Sequence, residues 1–575
     1  MKTSDYLADA LQAQGVTHVF ELVGGMTTHL IDSLLGRGRV KLVSVHHEQA
    51  AAFAAEGFAR MSGIPGVALA TSGPGATNLL TGIGSCYFDS TPAVFLTGQV
   101  NRHEQKGSRA LRQLGFQETD IVAMATPVTK WAYLVQTPEE VPEVIDRAFR
   151  IASSGRPGPV LIDLPMDVQR AELPSSIDLP VPPLREPAPL PLDFESLHDH
   201  LGRSERPLIL AGGGVRSAHA VDPFREFVDA CGIPVVHSLM GVDLLPYEHP
   251  LRVGMIGSYG NRWANLALAR SDVLIVLGSR LDVRQTGSEV AAFSQGKVIY
   301  HVDCDTSEMN NRVKGCRAIH SELAPFLRAA ATRVRSSRGM GLNRPTWRAE
   351  IQGARNKWPD SNELRDRPGI NPNVFMHELS RVSREASAFV VDVGQHQMWA
   401  AQSLELASTQ RFLTSGGMGA MGFALPAALG VAMASPERPV VVIAGDGGFQ
   451  LNLQELQTVV RNRLPLKIVV VNNQCHGMVR QFQQSYFGER YQSTLWGYSS
   501  PNFAAVAESF GIKGLTLEDP AQVSRALSAL WSDPGQPFLL DARVDTFANA
   551  YPKIVFGYPI SEMEPFSTPR DMEGT

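Results

Sequence analysis

Two oxygen-bearing side chains stand at the ends of neighbouring apolar runs. Asp446 lies in Gly445-Asp446-Gly447-Gly448, directly after Val440-Val441-Val442-Ile443-Ala444. Asn473, with Asn472, closes the next run, Lys467 to Val471. Carboxylate and amide oxygens are the hard ligands that Mg²⁺ prefers, and Mg²⁺ usually completes its octahedron with phosphate oxygens. Glycines beside such a group let the backbone come close to a diphosphate. The alternative is an ordinary strand–helix turn followed by an Asn-rich turn. A third group, Glu48, follows Leu42-Val43-Ser44-Val45-His46-His47 and opens the Ala-rich stretch Gln49 to Arg60. A carboxyl in an apolar site holds its proton more tightly and suits proton exchange near neutrality. A glutamate at a helix start is also stabilised simply by the helix dipole.

The elements that must position these groups alternate short apolar strands with helical patterns. Val67–Ala70 precedes a Gly-rich turn, and Ala93–Thr97 reads as another strand. Pro207–Ala211 precedes Gly212-Gly213-Gly214, and Val273–Leu277 precedes Gly278. A helix is expected from about Leu453 to Arg463, between the strands that end in Asp446 and Asn473. Near-continuous apolar strands alternating with helices imply parallel sheets covered on both faces. Ligands on such sheets bind at the carboxyl ends of the strands, where every Gly-rich turn named here lies.

Two segments read as linkers. Leu173 to Phe194 carries Pro174, Pro180, Pro182, Pro183, Pro187, Pro189 and Pro191, too many for a helix or a central strand. Arg335 to Asn373 is polar and turn-rich, with a helix at Thr346 to Lys357 as an option. They cut the chain into an N-terminal domain (1–175), a central domain (190–335) and a C-terminal domain (365–550). A polar, proline-bearing tail follows (551–575), which could close over a site or lie on the surface. At 575 residues the chain exceeds one core.

Hydrophobic residues make up 44% and charged residues 19%, a globular balance. A net charge of -5 gives no basic footprint for nucleic acid. Five cysteines, scattered and without CxxC spacing, point to reduced thiols in a cytoplasm rather than a disulfide framework or a zinc site. Met1 to Tyr6 opens an amphipathic helix with no signal-peptide core. No apolar stretch is long enough for a membrane span.

The ordered segments HEQAAAFAAEGFAR (47–60), TSGPGATN (71–78), GFQETD (115–120), TPVTK (126–130), GSRLDVRQTG (278–287), DVGQHQMWAAQ (392–402), TSGGMGAMGFALPAALG (414–430), GDGGFQLNLQEL (445–456) and NNQCHGMVRQFQ (472–483) resemble the acetohydroxyacid (acetolactate) synthase branch of the thiamine-diphosphate enzymes along nearly the whole chain. The resemblance implies three doubly wound α/β domains: pyrimidine-binding, central and diphosphate-binding. It implies that Glu48 activates the cofactor and that Asp446, Asn473 and the Cys475 carbonyl hold Mg²⁺. Gln395 and His396 would contact the diphosphate, within a cofactor cradle that includes Gly445, Gly447, Gly448, Gly477 and Met478. Gly419 would offer its carbonyl to the pyrimidine amine, and Met421 would wedge under the cofactor, a task suited to an adaptable apolar side chain. Gly25, Phe116, Gln117, Arg284 and Phe482 would face the substrate, with Arg284 receiving a 2-keto acid carboxylate. The implied reaction decarboxylates a 2-keto acid such as pyruvate and adds the two-carbon unit to a second carbonyl, giving 2-acetolactate or a related acetohydroxy product. Family active sites lie between subunits, so a homodimer or homotetramer is implied.

Of four departures from the family's pattern, those at Phe482, Ser258 and Val283 keep a second reading open, that of another thiamine-diphosphate-dependent decarboxylase, lyase or specialised C–C ligase. Phe482 stands where synthases favouring 2-ketobutyrate carry Trp. Ser258 stands in place of Met, Val23 in place of Pro, and Val283 in place of a second Asp. In the central domain Gly213, Gly214, Leu239, Met240, Gly278, Arg280, Asp282 and Asp303 resemble FAD-holding segments, although relatives also leave this domain empty or bind ADP there.

Overall fold

The computed structural model describes residues 1–174, 178–181, 194–336 and 342–568. Of the prolines that mark the first linker, Pro182, Pro183, Pro187, Pro189 and Pro191 lie outside the described residues.

The strands expected from apolar runs assemble into three six-stranded sheets, every pairing of which is parallel. The first contains β1 (His18–Leu22), β2 (Lys41–Ser44), β3 (Gly66–Ala70), β4 (Ala93–Gln99), β5 (Trp131–Leu134) and β6 (Pro159–Pro165), in the order β2-β1-β3-β4-β6-β5. The second contains β7 (Pro207–Ala211), β8 (Val235–His237), β9 (Arg252–Met255), β10 (Val273–Leu277), β11 (Val298–Asp303) and β12 (Arg317–His320), in the order β12-β11-β10-β7-β8-β9. The third contains β13 (Ala388–Val391), β14 (Arg411–Leu413), β15 (Val440–Gly445), β16 (Leu466–Asn472), β17 (Lys513–Leu517) and β18 (Phe538–Arg543), in the order β14-β13-β15-β16-β18-β17. The first and third sheets therefore share one topology. The strand order reverses between β1 and β3, between β7 and β10, and between β13 and β15, and in the first and third sheets again at the edge, where β6 and β18 lie inside β5 and β17. Such switch points open a crevice at the carboxyl ends of the strands. All residues of β7, β10, β15 and β16 are buried, as strands covered on both faces require.

Between β15 and β16 the expected continuous helix is broken into a 3₁₀ turn, Leu453–Glu455, and a short helix, Leu456–Arg461. The second linker region is more structured than its polarity suggests. Helix Pro345–Lys357 buries Trp347 and Ile351 against the second domain, and the Trp347 indole donates to the Pro207 carbonyl at 3.1 Å. The tail forms a small antiparallel pair, β19 (Lys553–Ile554) and β20 (Met563–Glu564). Its Ile554, Ile560 and Met563 join the same core as Trp263 and Trp347, so residues 551–568 strap the third domain to the second. Among the described residues no helix is long and apolar enough to cross a membrane.

The first and third domains meet through two Ala- and Gly-rich helices, Glu48–Ser62 and Ala424–Ala434, which share one hydrophobic core. A Cβ on Gly57 would lie 2.1 Å from the Ala427 carbonyl oxygen, and one on Gly430 would lie 1.9 Å from that of Ala54. Backbone therefore rests on backbone, and only glycine fits at either crossing point. Phe53 and Phe423 close the end of this interface edge-to-face at 5.4 Å. Gly430→Ala is expected to lower stability by about 1–3 kcal/mol through overpacking. A urea midpoint equal to the parent's would show that the helices can separate at no cost.

Candidate functional site

At the switch point of the third sheet, β15 delivers Asp446 and β16 delivers Asn473 to neighbouring positions. Asp446 is buried, and one of its carboxylate oxygens accepts from the Tyr498 hydroxyl at 2.8 Å. Burial pushes its carboxyl up to about 6, against the pull of the Tyr498 hydrogen bond. A bound cation would favour the charged form. The Asn473 amide donates to Gln395 Oε1 at 3.0 Å, while its oxygen accepts from the Cys475 N–H at 3.3 Å. The Cys475 carbonyl accepts from the Gly477 N–H at 2.9 Å and keeps a second lone pair.

Helix Gln395–Ser403 starts directly after β13 and brings Gln395 and His396 to this end. The Gln395 amide is tied on both sides, accepting from Asn473 and donating to Gln481 at 3.0 Å. His396 Nε2 accepts from the Gly445 N–H at 3.1 Å, which leaves its proton on Nδ1. Burial pulls the imidazole down to about 3, so this ring is a neutral donor.

The glycines of the cradle answer to side chains standing behind them. Cβ atoms on Gly394 and Gly445 would lie 2.6 and 2.8 Å from the His396 ring. One on Gly447 would meet His476 at 2.7 Å, one on Gly448 would meet Asp392 at 2.6 Å, and one on Gly477 would meet Gln395 at 2.0 Å. Close approach to a diphosphate, expected from the sequence, is thus a second reason for these glycines. Gly419 differs: its φ is +66° and nothing fills the space beside it, so its requirement is conformational. The Met421 methyl reaches to within 3.4 Å of the Gly447 position, which places it beside the Asp446 turn. Met478 packs on the same domain's core.

Glu48 lies in a second cluster, at the switch point of the first sheet. It begins its helix and is buried, and Asn78 Nδ2 donates to its Oε2 at 2.9 Å. Its Oε1 faces Gly75, whose Cβ position is 3.3 Å away. Gly25 opens a 3₁₀ turn after β1, and the neighbouring Met26 N–H donates to the Thr71 hydroxyl at 3.3 Å. Gln117, at a φ of 65°, packs against Gly73, while Phe116 is 79% exposed. Phe482 directly follows Gln481, which holds the Gln395 amide, whereas Arg284 lies in the second domain. Arg284 is exposed, and its carbonyl accepts from the Ser258 N–H at 2.6 Å. The Phe482 ring packs at a tilt against Tyr486, centroids 4.8 Å apart, along helix Gly477–Tyr486. Within one chain, then, the residues form two strand-end clusters rather than one.

Around the second sheet's switch point lies a cavity of about 530 Å³, lined by Gly213, Gly214, Met240, Gly278, Arg280 and Asp303 among others. Leu239 and Asp282 do not line it; Asp282 instead caps a short helix by accepting from the Gln285 N–H at 3.1 Å. Here too glycines serve packing, since a Cβ on Gly212 would lie 2.2 Å from the Gly278 carbonyl oxygen.

Two contributors were not singled out from the sequence, although Asp392 opens the segment DVGQHQMWAAQ. Tyr498, in a loop far from the Gly-Asp-Gly turn, covers Asp446 and stacks on His476 at 4.3 Å. Asp392, fully buried at the end of β13, accepts from the N–H groups of Val393, Gly422 and Ala424 at 2.8–2.9 Å. Burial pushes it up to about 6 against these three bonds. It thereby pins the loop bearing Gly419 and Met421. Asp392→Ala leaves two buried N–H groups of that loop unpaired and is expected to cost about 3 kcal/mol. Equal urea midpoints for the variant and the parent would remove this role.

Known proteins bear on both clusters. Residues 1–124, 194–330 and 392–542 match the N-terminal TPP binding domain, the central domain and the C-terminal TPP binding domain of thiamine pyrophosphate enzymes. The large subunit of acetolactate synthase isozyme 2 from Escherichia coli (strain K12) is 38% identical over 567 residues, covering 98% of this chain and 99% of that protein. The acetolactate synthase large subunit of Lactococcus lactis is 36% identical, covering 97% of this chain and 95% of that protein. The chloroplastic acetolactate synthase 2 of Nicotiana tabacum is 37% identical, covering 97% and 84%. With Glu48 inside the first matched region and the Asp392–Tyr498 cluster inside the last, the chain belongs to the thiamine pyrophosphate enzyme family, in its acetolactate synthase-like branch.

Proposed function

We propose that this protein is a thiamine-diphosphate- and Mg²⁺-dependent carboligase that decarboxylates pyruvate and joins the two-carbon unit to a second carbonyl, giving 2-acetolactate or a related acetohydroxy product. The observation that carries this reading is the matched pair of strand-end clusters on two sheets of the same topology. One offers a buried acid, and the other a carboxylate, an amide and a glycine cradle. The donor set of the second fits the cofactor's diphosphate with its cation: Asp446, Asn473 and the Cys475 carbonyl supply oxygens for Mg²⁺. His396 supplies a neutral N–H, and open space lies beside Gly419. When bound, thiamine diphosphate supplies a carbon acid that adds to a keto carbonyl and accepts the electron pair as CO₂ leaves.

The chain's own groups do the rest. Glu48 is held by Asn78 on one oxygen, so its other oxygen is free to exchange a proton with the cofactor's pyrimidine nitrogen. The Gly419 carbonyl would accept from the cofactor's pyrimidine amine, and Met421 would pack against the bound cofactor. Arg284 takes the keto acid carboxylate as a forked donor. Gly25, Phe116, Gln117 and Phe482 shape the acceptor side. Phe482 lacks the indole N–H and some of the bulk of a Trp, which favours acceptors other than 2-ketobutyrate.

Glu48 and Asp446 sit in separate clusters of one chain, which supports an active site completed by a second copy, as a homodimer or a pair of dimers. The five free cysteines fit a reducing cytoplasm. The central cavity, with its glycine turns and the strand-end Asp303, suits FAD or another adenine nucleotide in a structural role.

Product analysis with purified protein, thiamine diphosphate, Mg²⁺ and pyruvate, with and without FAD, tests the reading. Acetolactate is expected; acetaldehyde with CO₂ would indicate a decarboxylase, and no turnover would indicate a different donor. In a competition between pyruvate and 2-ketobutyrate, Phe482→Trp should move product toward the 2-ketobutyrate adduct, and an unchanged ratio would remove Phe482 from the acceptor pocket. Glu48→Gln and Asp446→Ala should each be nearly inactive, the latter through loss of Mg²⁺-dependent cofactor retention. Dissociated and remixed, the two variants should regain about a quarter of parental activity, because half the dimers are mixed and each holds one intact site. No recovery would place the site within one chain.

A further inference from the structure

The second domain carries another cleft, at the amino ends of β8 and β9, opposite the end where its glycine turns lie. It measures about 370 Å³ and lies between the start of β9 and helix Pro345–Lys357. Arg252, Arg348 and Arg355 line it together with Asn343, Gln352 and Leu251, and no carboxylate does. Arg348, Gln352 and Arg355 recur at helical spacing, so one helix face presents them. Among the described residues none of the three arginines has an ion pair.

Arg252 is 7% exposed, and its Nε has no hydrogen-bond partner. The guanidinium groups of Arg252 and Arg355 lie 5.2 and 5.3 Å from the Tyr247 ring centre, and Arg355 donates to the Tyr247 hydroxyl at 2.8 Å. Burial, and then the nearby Arg355 charge, pull Arg252 down to about 10. The carboxylates nearest this stack are already engaged: Asp360 by His377 and Ser403, and Glu405 by Arg381 and His377. A buried charge without a counter-charge is costly, and cation–π contact offsets only part of that cost.

We propose that this cleft binds a small organic phosphate, with the three guanidinium groups on the phosphate and the Leu251 side against its organic body. Guanidinium forks match phosphate oxygens bidentately, and the cleft's volume suits a small ligand. The site is distinct from both strand-end clusters and from the cavity of the second switch point, which lies at the opposite end of the sheet. Occupancy would fix the start of β9, the strand that leads on to Ser258 and so to the Arg284 carbonyl it holds.

The test uses holoenzyme saturated with thiamine diphosphate and Mg²⁺, so that the diphosphate site is already filled. Inorganic phosphate and phenyl phosphate are titrated separately by equilibrium dialysis. Each should occupy one saturable site per chain, with phenyl phosphate the tighter. Arg348 and Arg355 are half-exposed on a helix, and glutamine keeps helix propensity, so the R348Q and R355Q variants fold. Each should weaken both probes by about tenfold or more, the loss of one charge-assisted pair. The proposal is overturned by absence of saturable binding, by equal affinity for the two probes, or by binding that survives both substitutions.

Discussion

The contact of backbone on backbone between helices Glu48–Ser62 and Ala424–Ala434 is the constraint on which the rest depends. With Gly57 against Ala427 and Gly430 against Ala54, the first and third domains are locked at one relative position. Polar clamps extend the lock. Arg60 donates to the Thr414 carbonyl at 2.7 Å, and the Asp89 carboxylate accepts from the Gly416 and Gly417 N–H groups at 2.9 and 2.6 Å. The helix that begins with Glu48 is thus joined rigidly to the loop that carries Gly419 and Met421. If each cluster is completed by a second chain, as proposed, this lock ties one half of one site to one half of the other.

A second constraint is the use of glycine as a hollow for a neighbouring side chain. His396, His476, Asp392 and Gln395 each occupy the space where a glycine of the third domain lacks a Cβ. Their positions are set by close packing rather than by rotamer choice alone, and any larger residue at those glycines would displace them. The cradle is in this sense preorganised: hydrogen bonds fix the Gln395 amide and the His396 ring without a ligand.

How much of this was legible follows from where the information sits. The strands read correctly because buried parallel strands are continuous apolar runs, and the positions of Asp446, Asn473 and the Gly-rich turns at strand ends follow from the same runs. Glu48 was visible only beside its companion motifs, since its helix-start position alone has a bland explanation. Asp392 and Tyr498 were missed because their partners lie 30 and 52 residues away, and no periodic pattern links such pairs. The break at Leu456 between β15 and β16 is not legible because a three-residue 3₁₀ turn is too short to show a period different from that of an α-helix. The polar sequence of the tail leaves closing over a site and lying on the surface equally open, yet its few apolar residues are the ones that reach the second domain's core.

The charge of the cradle bears on what it can hold. Its side chains are an amide, a neutral imidazole, a carboxamide and one carboxylate; Gln395, His396, Asn473 and Asp446 contribute no cation. Neutral donors orient a diphosphate but do not compensate its charge, and Asp446 would repel it across a low-dielectric gap. Burial, with a smaller push from the Asp541 carboxylate, already holds Asp446 up at about 6. A divalent cation held by Asp446 would remove both penalties at once. On the proposed reading metal and cofactor would be coupled: each would create the charge environment the other needs, and neither should bind tightly alone.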